Sequence, residues 1–205
     1  MDINSINKIE LTFLKTEDYR EIHKLMEAEY KNLKDSSWSK HDIEKLIDIF
    51  QRGQVALKID GELAGFALSI IVDYSEFEDN HTYKQITGDY SFDTHNPKGD
   101  ILYGIDVFID KKFRGLRLGR RLYDYRKELC EDLNLKAIMF GGRLPNYNQY
   151  SNNTSPKDYI QKVKSKDIHD PVLNFQLSND FYVKRVVKGY LEGDSDSCEH
   201  AAILS

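Results

Sequence analysis

Ile105-Asp-Val-Phe-Ile-Asp-Lys-Lys-Phe-Arg-Gly-Leu-Arg-Leu-Gly-Arg-Arg-Leu122 is the stretch whose reading decides the fold. Ile105, Val107 and Ile109 alternate with the two-residue period of a strand. Beyond Asp110 the period changes. Leu118, Leu122, Tyr125, Leu129 and Leu133 recur at helical spacing, which predicts a helix over 116–133. Between strand and helix lies a short turn with Gly115, and Gly119 falls in the first helical turn. A helix start carries unpaired N–H groups and about half a positive charge, so it holds phosphate well. Lys111, Lys112, Arg114, Arg117, Arg120 and Arg121 place six cations and no acid in eleven positions. Cations are disfavoured in a first helical turn, where Asp and Glu are preferred. A bound polyanion resolves that conflict better than a solvated face does.

Upstream, residues 9–14 read as a short strand. Thr16 reads as a helix N-cap with Glu17 and Asp18 in the first turn. Ile22, Leu25, Met26, Tyr30 and Leu33 form that helix's apolar face. Ser39 and Asp42 make a capping-box start for a second helix, whose apolar face is Ile43, Leu46, Ile47 and Phe50. Strands over 55–59 and 63–72 flank Asp60-Gly61, a strong hairpin dipeptide. Residues 73–99 are aperiodic and long enough for a lid or substrate wall.

The strand over 101–109 leads into the helix already described. A strand over 136–140 is expected to stop at Gly141-Gly142, followed by a loop over 143–154. Ser155-Pro156 is an N-cap with Pro at the first helical position, and Tyr159, Ile160 and Val163 continue that helix. Residues 171–178 read as a short helix, 181–190 and 200–204 as strands. The order β-α-α-β-β-β-α-β-α-α-β-β predicts an α/β (α+β) fold, a mixed sheet with helices on its faces. Neither nucleotide-binding glycine motif is present, so a doubly wound nucleotide fold is not expected.

The 205 residues predict one domain over 1–205, and 13 Tyr and 10 Phe give it ample material to bury. The net charge of −5 argues against nucleic acid and anionic membrane as general partners. Cys130 and Cys198 stand apart, with no CxxC and no Cys/His cluster, so neither a disulfide framework nor a metal site is expected. Lone thiols and a polar N-terminus without an apolar core segment fit a cytoplasmic protein. The longest apolar stretch, 63–72, is too short to span a bilayer. With no export signal, the glycosylation patterns at Asn80 and Asn152 read as chance.

Arg114-Gly-Leu-Arg-Leu-Gly119, placed after that strand, resembles the acetyl-CoA pyrophosphate motif of the GNAT superfamily of N-acetyltransferases, Gln/Arg-x-x-Gly-x-Gly/Ala. The element order resembles that fold over nearly the whole chain. The resemblance implies a mixed, mostly antiparallel central sheet with helices on both faces, and acetyl-CoA as cosubstrate. It implies that Arg114, Gly115, Leu116, Arg117, Leu118, Gly119 and Arg120 surround the diphosphate. It sets Val107, Phe108 and Ile109 along the acetyl group, with a backbone N–H for the oxyanion. Arg117 stands where the motif has its middle glycine. Its N–H remains available, but its side chain must point away from the diphosphate or grip it.

A closer resemblance covers Gly141-Gly-Arg-Leu-Pro-Asn-Tyr147, Ser155-Pro-x-x-Tyr159 and Asp170-Pro-Val-Leu-x-Phe-Gln-Leu-x-Asn-x-Phe181. These look like the acetyltransferase-like half of bacterial proteins in which a GNAT domain precedes a carbon–nitrogen hydrolase. A chain of this length has no room for the hydrolase half. It is expected to be a stand-alone version or an excised N-terminal domain, with a hydrolase as fused or separate partner; a homodimer is left open.

The implied reaction moves acetyl from the thioester to an amine of a small molecule or peptide. The amine must lose a proton, and the departing thiolate must gain one. Asp106 and Tyr103 are the candidates on the acetyl-bearing strand. Their odd spacing sets them on opposite faces unless a bulge intervenes. The plain alternative for Asp106 is a carboxylate hydrogen-bonded to a nearby loop. Arg143, past Gly141-Gly142, could grip a carboxylate or phosphate of the substrate, or be structural. Laying the family pattern F-Y-x-x-x-G-F on residues 175–181 puts Gln176 at the acid Tyr and Asp180 at the Gly. Gln has no titratable proton, so Tyr147, Tyr150 or Tyr182 would have to substitute. Asp tolerates the left-handed conformation better than most residues.

His23, His41, His81 and His95 lack ligand spacing and read as surface residues. Glu76, Glu78 and Asp79, beside Tyr74 and Phe77, read as a solvated loop sooner than as an amine-attracting knot. Two functions follow from the resemblance: an N-acyltransferase, or an acyl-CoA-binding or regulatory module with little transfer. Gln176 and Arg117 favour the second. An RNA-binding patch on 111–121 is weaker, because no stacking platform is evident.

Overall fold

The structure is a computed structural model that describes residues 6–29, 37–77 and 80–205. In chain order its elements are β1 (Ile9–Phe13), α1 (Tyr19–Glu29), α2 (Lys40–Phe50), β2 (Val55–Ile59), β3 (Glu62–Val72), α3 (Tyr83–Ile86), β4 (Ile101–Ile109), α4 (Leu118–Asp132), β5 (Ala137–Arg143), α5 (Pro156–Lys164), α6 (Pro171–Leu177), β6 (Val183–Lys188) and β7 (His200–Leu204). The chain divides into two compact units. One is Met1–Asp73 with Ser91–Ile138, the other Tyr74–Tyr90 with Met139–Ser205.

In the first unit β1, β2, β3 and β4 pair in chain order, each antiparallel to the next. Asp60 and Gly61 turn the β2–β3 hairpin with φ of 49° and 86°, the positive values its tight turn needs. Ten consecutive residues of β3 are buried, from Leu63 to Val72. A strand buried at successive positions is covered on both faces. On one face Val55, Leu57, Ile59, Ala64 and Ala67 pack against Phe113, Leu118 and Leu122, the last two from α4. Each large side chain so buried contributes roughly 1.5–3 kcal/mol. The alternate positions Ala56, Phe66 and Leu68 are buried too, and α1 and α2 pack on β3. Those helices bury Ile22, Leu25, Met26, Ile43 and Leu46, as their spacing predicts. Tyr30, Leu33, Glu78 and Asp79 lie outside the described residues.

The capping box of α2 forms as expected. Ser39 Oγ accepts the Asp42 N–H at 3.2 Å, and the Asp42 carboxylate accepts the Ser39 N–H at 2.8 Å. Thr16 is not the N-cap expected of it. It opens a short turn, Thr16–Asp18, and Lys15 holds the cap position. There the Asp18 carboxylate accepts the Lys15 N–H at 3.0 Å, so the acid at the third position does the capping. Helix α4 starts at Leu118, two residues later than its periodicity suggests, because Arg117 is left-handed.

In the second unit β7 pairs antiparallel with both β5 and β6. Gly141 and Gly142 do not end β5, which continues to Arg143. Their missing side chains make room instead. A Cβ on Gly141 would run into the Tyr190 ring, and one on Gly142 into the Gln176 carboxamide. Strand β6 is shorter than the apolar pattern over 181–190. Its flanks have other tasks: Phe181 packs edge-on against Phe140 at 4.8 Å, and Tyr190 covers Gly141. Ser155 caps α5 and Asp170 caps α6, each followed by Pro at the first helical position. Among the described residues of 73–99 the helical elements are the turn Tyr74–Glu76 and the single helical turn α3. No helix among the described residues is long and apolar enough to cross a membrane.

Candidate active site

The basic stretch lies between β4 and α4 in the first unit. The Asp110 carboxylate accepts the Lys112 N–H at 2.8 Å and starts a tight turn, Lys111–Phe113. Phe113 anchors that turn in the core. Gly115 has φ of 88° and Arg117 φ of 55°, so the chain turns left-handed twice before α4 begins. Arg117 thus adopts the conformation a glycine takes without cost; for an L-residue it costs roughly 1–2 kcal/mol. At the motif's departure the chain thus carries an arginine side chain on a left-handed backbone. No acid stands in the first turn of α4, and Arg117 makes no capping hydrogen bond with its side chain. Arg114, Arg117, Arg120 and Arg121 are exposed, whereas Leu118 and Gly119 are buried. Lys112 is engaged with Glu62 at 2.6 Å, and Arg120 approaches Asp124 at 3.9 Å.

Strand β4 carries the candidate base. Leu68 of β3 pairs with Asp106, but Ser69 pairs with Gly104, so Ile105 is an extra residue. This bulge resolves the odd spacing. Tyr103 and Asp106 stand opposite Ile70 and Leu68, which are two residues apart and share a face. The expected opposition of the two side chains therefore does not occur. Tyr103 is fully buried, whereas Asp106 is half-buried. One Asp106 oxygen accepts the Trp38 indole N–H at 2.7 Å. Val107, Phe108 and Ile109 pair with Ala67, Phe66 and Gly65. Alternate N–H groups of that run point away from β3, as an oxyanion donor must.

Arg126, on α4, is a residue that pattern reading missed. Its guanidinium is buried and donates to Ser69 Oγ at 3.0 Å, Leu68 O at 2.6 Å and Asp106 O at 2.9 Å. Burial pulls its pKa below the usual arginine range, and the neighbouring Tyr123 and Asp106 oppose that fall. The signal was available: a cation sits four residues past Leu122 and three before Leu129, inside the apolar stripe. Trp38, the one tryptophan of the chain, was also missed.

In the second unit Arg143 is engaged by acids. Its Nε donates to Asp194 Oδ2 at 2.7 Å and an Nη to Asp194 Oδ1 at 2.5 Å, with Asp196 at 3.8 Å. Gln176 is buried over Gly142, and its Oε1 has no hydrogen-bond partner among the described residues. Asp180 has φ of 69°, a left-handed conformation that Asp tolerates better than most residues. Of the tyrosines, Tyr147 donates to Thr154 O at 3.0 Å, Tyr150 packs on Tyr159, and Tyr182 is exposed. The surface reading of His81 is wrong. It is 2% exposed, among Tyr74, Phe77 and Tyr190, because this aromatic-rich segment forms its own small core. His23 and His95 are half-buried in the first unit, while His41 is exposed.

The fold is a mostly antiparallel α/β class in which a basic, left-handed loop joins a strand to a helix. Sequence comparison makes this specific. Residues 19–153 match the model of the acetyltransferase (GNAT) family, and the chain belongs to that family. It is 37% identical over 167 residues to the probable hydrolase YhcX of Bacillus subtilis, covering 82% of this chain and 33% of YhcX. The chain thus spans about a third of that relative's length. It is 31% identical over 167 residues to the uncharacterized N-acetyltransferase YkwB of the same organism, covering 82% of this chain and 74% of YkwB. Its fold matches the loading GNATL domain of CurA from Lyngbya majuscula with a TM-score of 0.80 at 20% identity, over 97% of this chain and 96% of that one.

Proposed function

We propose that the 205 residues act as one cytoplasmic acyltransferase domain that moves an acetyl group from acetyl-CoA directly to an amine. The observation that carries this is the β4–α4 connection. Arg117 keeps the left-handed backbone of a glycine there, and exposed arginines surround a helix start that lacks acids. In this reading the N–H groups of Leu118, Gly119 and Arg120 and the side chains of Arg114 and Arg117 hold the diphosphate. An N–H of the run Val107, Phe108, Ile109 holds the thioester oxygen as it becomes an oxyanion. The amine nitrogen attacks the carbonyl carbon, the C–N bond forms and the C–S bond breaks. Asp106 takes the amine proton, and the CoA thiolate leaves to be protonated. The CoA diphosphate would also satisfy the charge that the net −5 of the chain conceals.

Thiol release from acetyl-CoA, measured across a panel of small amines and peptides, tests this reading. Release with at least one amine is expected; confirmed acetyl-CoA binding with no release from any amine overturns it. One observation favours a second reading, an acyl-CoA-binding module. Gln176 stands where the family pattern has its acid, and its buried carboxamide cannot give up a proton. That module would be stabilised by acetyl-CoA without turnover, by about 2.7 kcal/mol at 100 Kd. The similarity to the probable hydrolase YhcX supports a hydrolase as the domain it serves, fused or separate.

A further inference from the structure

We propose that Trp38 and Arg126 are positioning residues that hold Asp106 from opposite faces of the β3–β4 sheet. The inference rests on the reading that Asp106 serves the transfer step.

Three observations meet at one residue. The bulge at Ile105 interrupts the ladder between β3 and β4, and an interrupted ladder leaves carbonyl oxygens in need of donors. Arg126 supplies them. One of its Nη groups donates both to Leu68 O and to Asp106 O, the carbonyls of the register pair at the edge of the interruption, and its Nε to Ser69 Oγ. A planar fork suits this task, since several donors lie in one plane at fixed angles. Buried at 2% exposure, the guanidinium has no water to turn to, so these bonds are retained.

The second grip comes from the other face. Val107 packs with the α4-side core, so Asp106, its neighbour along the strand, points the opposite way. There the Trp38 indole N–H meets its carboxylate at 2.7 Å. Trp38 is itself fixed: its ring packs on Phe92 at 4.9 Å, and the Ser39 capping box follows immediately. Backbone and side chain of Asp106 are thus set independently, the carbonyl by α4 and the carboxylate by Trp38, two residues before α2. A carboxylate that must take a proton from one direction profits from such double fixing.

Because Trp38 is the one tryptophan, its indole N–H gives a single, self-identifying NMR cross-peak. In the full chain, Asp106→Asn is expected to move that peak and to speed its solvent exchange about tenfold. Arg126→Lys, which keeps the charge and loses the fork, is expected to change the peak and its exchange in the same sense. Trp38→Phe is expected to lower kcat about tenfold while KM for acetyl-CoA stays within about twofold. An indole peak unmoved by Asp106→Asn, or by a folded Arg126→Lys, overturns the proposal; so does an unchanged kcat in Trp38→Phe. If Arg126→Lys does not fold, the Asp106→Asn peak and the Trp38→Phe kinetics decide. If the wild-type chain acetylates no amine, the acyltransferase reading falls, and the indole peak alone still decides whether Asp106 is held.

Discussion

Arg143 grips Asp194 side-on, Nε to Oδ2 at 2.7 Å and Nη to Oδ1 at 2.5 Å, and the Asp194 side chain is only 2% exposed. This paired geometry commits the guanidinium to the fold of the second unit. Removing it leaves a buried carboxylate without its cation. Arg143→Ala is therefore expected to cost about 3 kcal/mol in urea unfolding. The double variant Arg143→Ala/Asp194→Ala should lose less than the sum of its parts. A stable Arg143→Ala that loses only substrate affinity would return Arg143 to the substrate.

Arg117 offers a separation of backbone from charge. Arg117→Gly relieves the left-handed strain and is expected to stabilise the chain by about 1 kcal/mol. The same change removes an exposed cation. Acetyl-CoA affinity, measured by calorimetry, is expected to fall about fivefold in low salt. The deficit should shrink as salt screens the exposed charge.

Gly142 faces the carboxamide of Gln176 closely enough that any Cβ would displace it. Because the contact is with the end of a flexible side chain, Gly142→Ala is expected to destabilise modestly, by about 1 kcal/mol. Adding Gln176→Ala should recover most of the loss, because the clash is with that side chain. Equal unfolding midpoints for the Gly142→Ala variant and wild type would refute the contact.

His95 should give the stability curve a pH dependence. Its Nδ1 accepts the Ile71 N–H at 3.1 Å, and its ring stacks on Phe50 at 5.3 Å. Burial holds its pKa below the ordinary 6.5. The unfolded chain therefore takes the proton first as pH falls. The contribution is complete above about pH 6.5 and is lost as pH falls through the depressed folded value. Urea midpoints from pH 7.5 to 5 should decline more steeply in wild type than in His95→Gln.

How much was legible can be traced through particular residues. Strand β4 lies where alternation from Ile101 to Ile109 puts it, and Ser39, Ser155 and Pro156 mark true helix starts, because caps and periodicity are local signals. The glycine pair at 141–142 misled. Glycine marks a stop and a close approach with the same letter, and only Tyr190 and Gln176, far along the chain, tell which. His81 misled for a similar reason, since its aromatic surroundings include Tyr190.

The candidate site divides the same way. The basic loop, the helix behind it and the family were readable in the order of residues 105–122, since a strand, a turn and a helix start are adjacent in the chain. The bulge at Ile105 was not readable, because register is a property of two strands and depends on where Leu68 and Ser69 fall. Arg126 and Trp38 reach Asp106 from 20 and 68 positions away. The sequence alone thus determined which elements form and which family they belong to. Only tertiary structure decided which polar groups are buried together, because long-range packing and the demand for paired donors and acceptors set those partners.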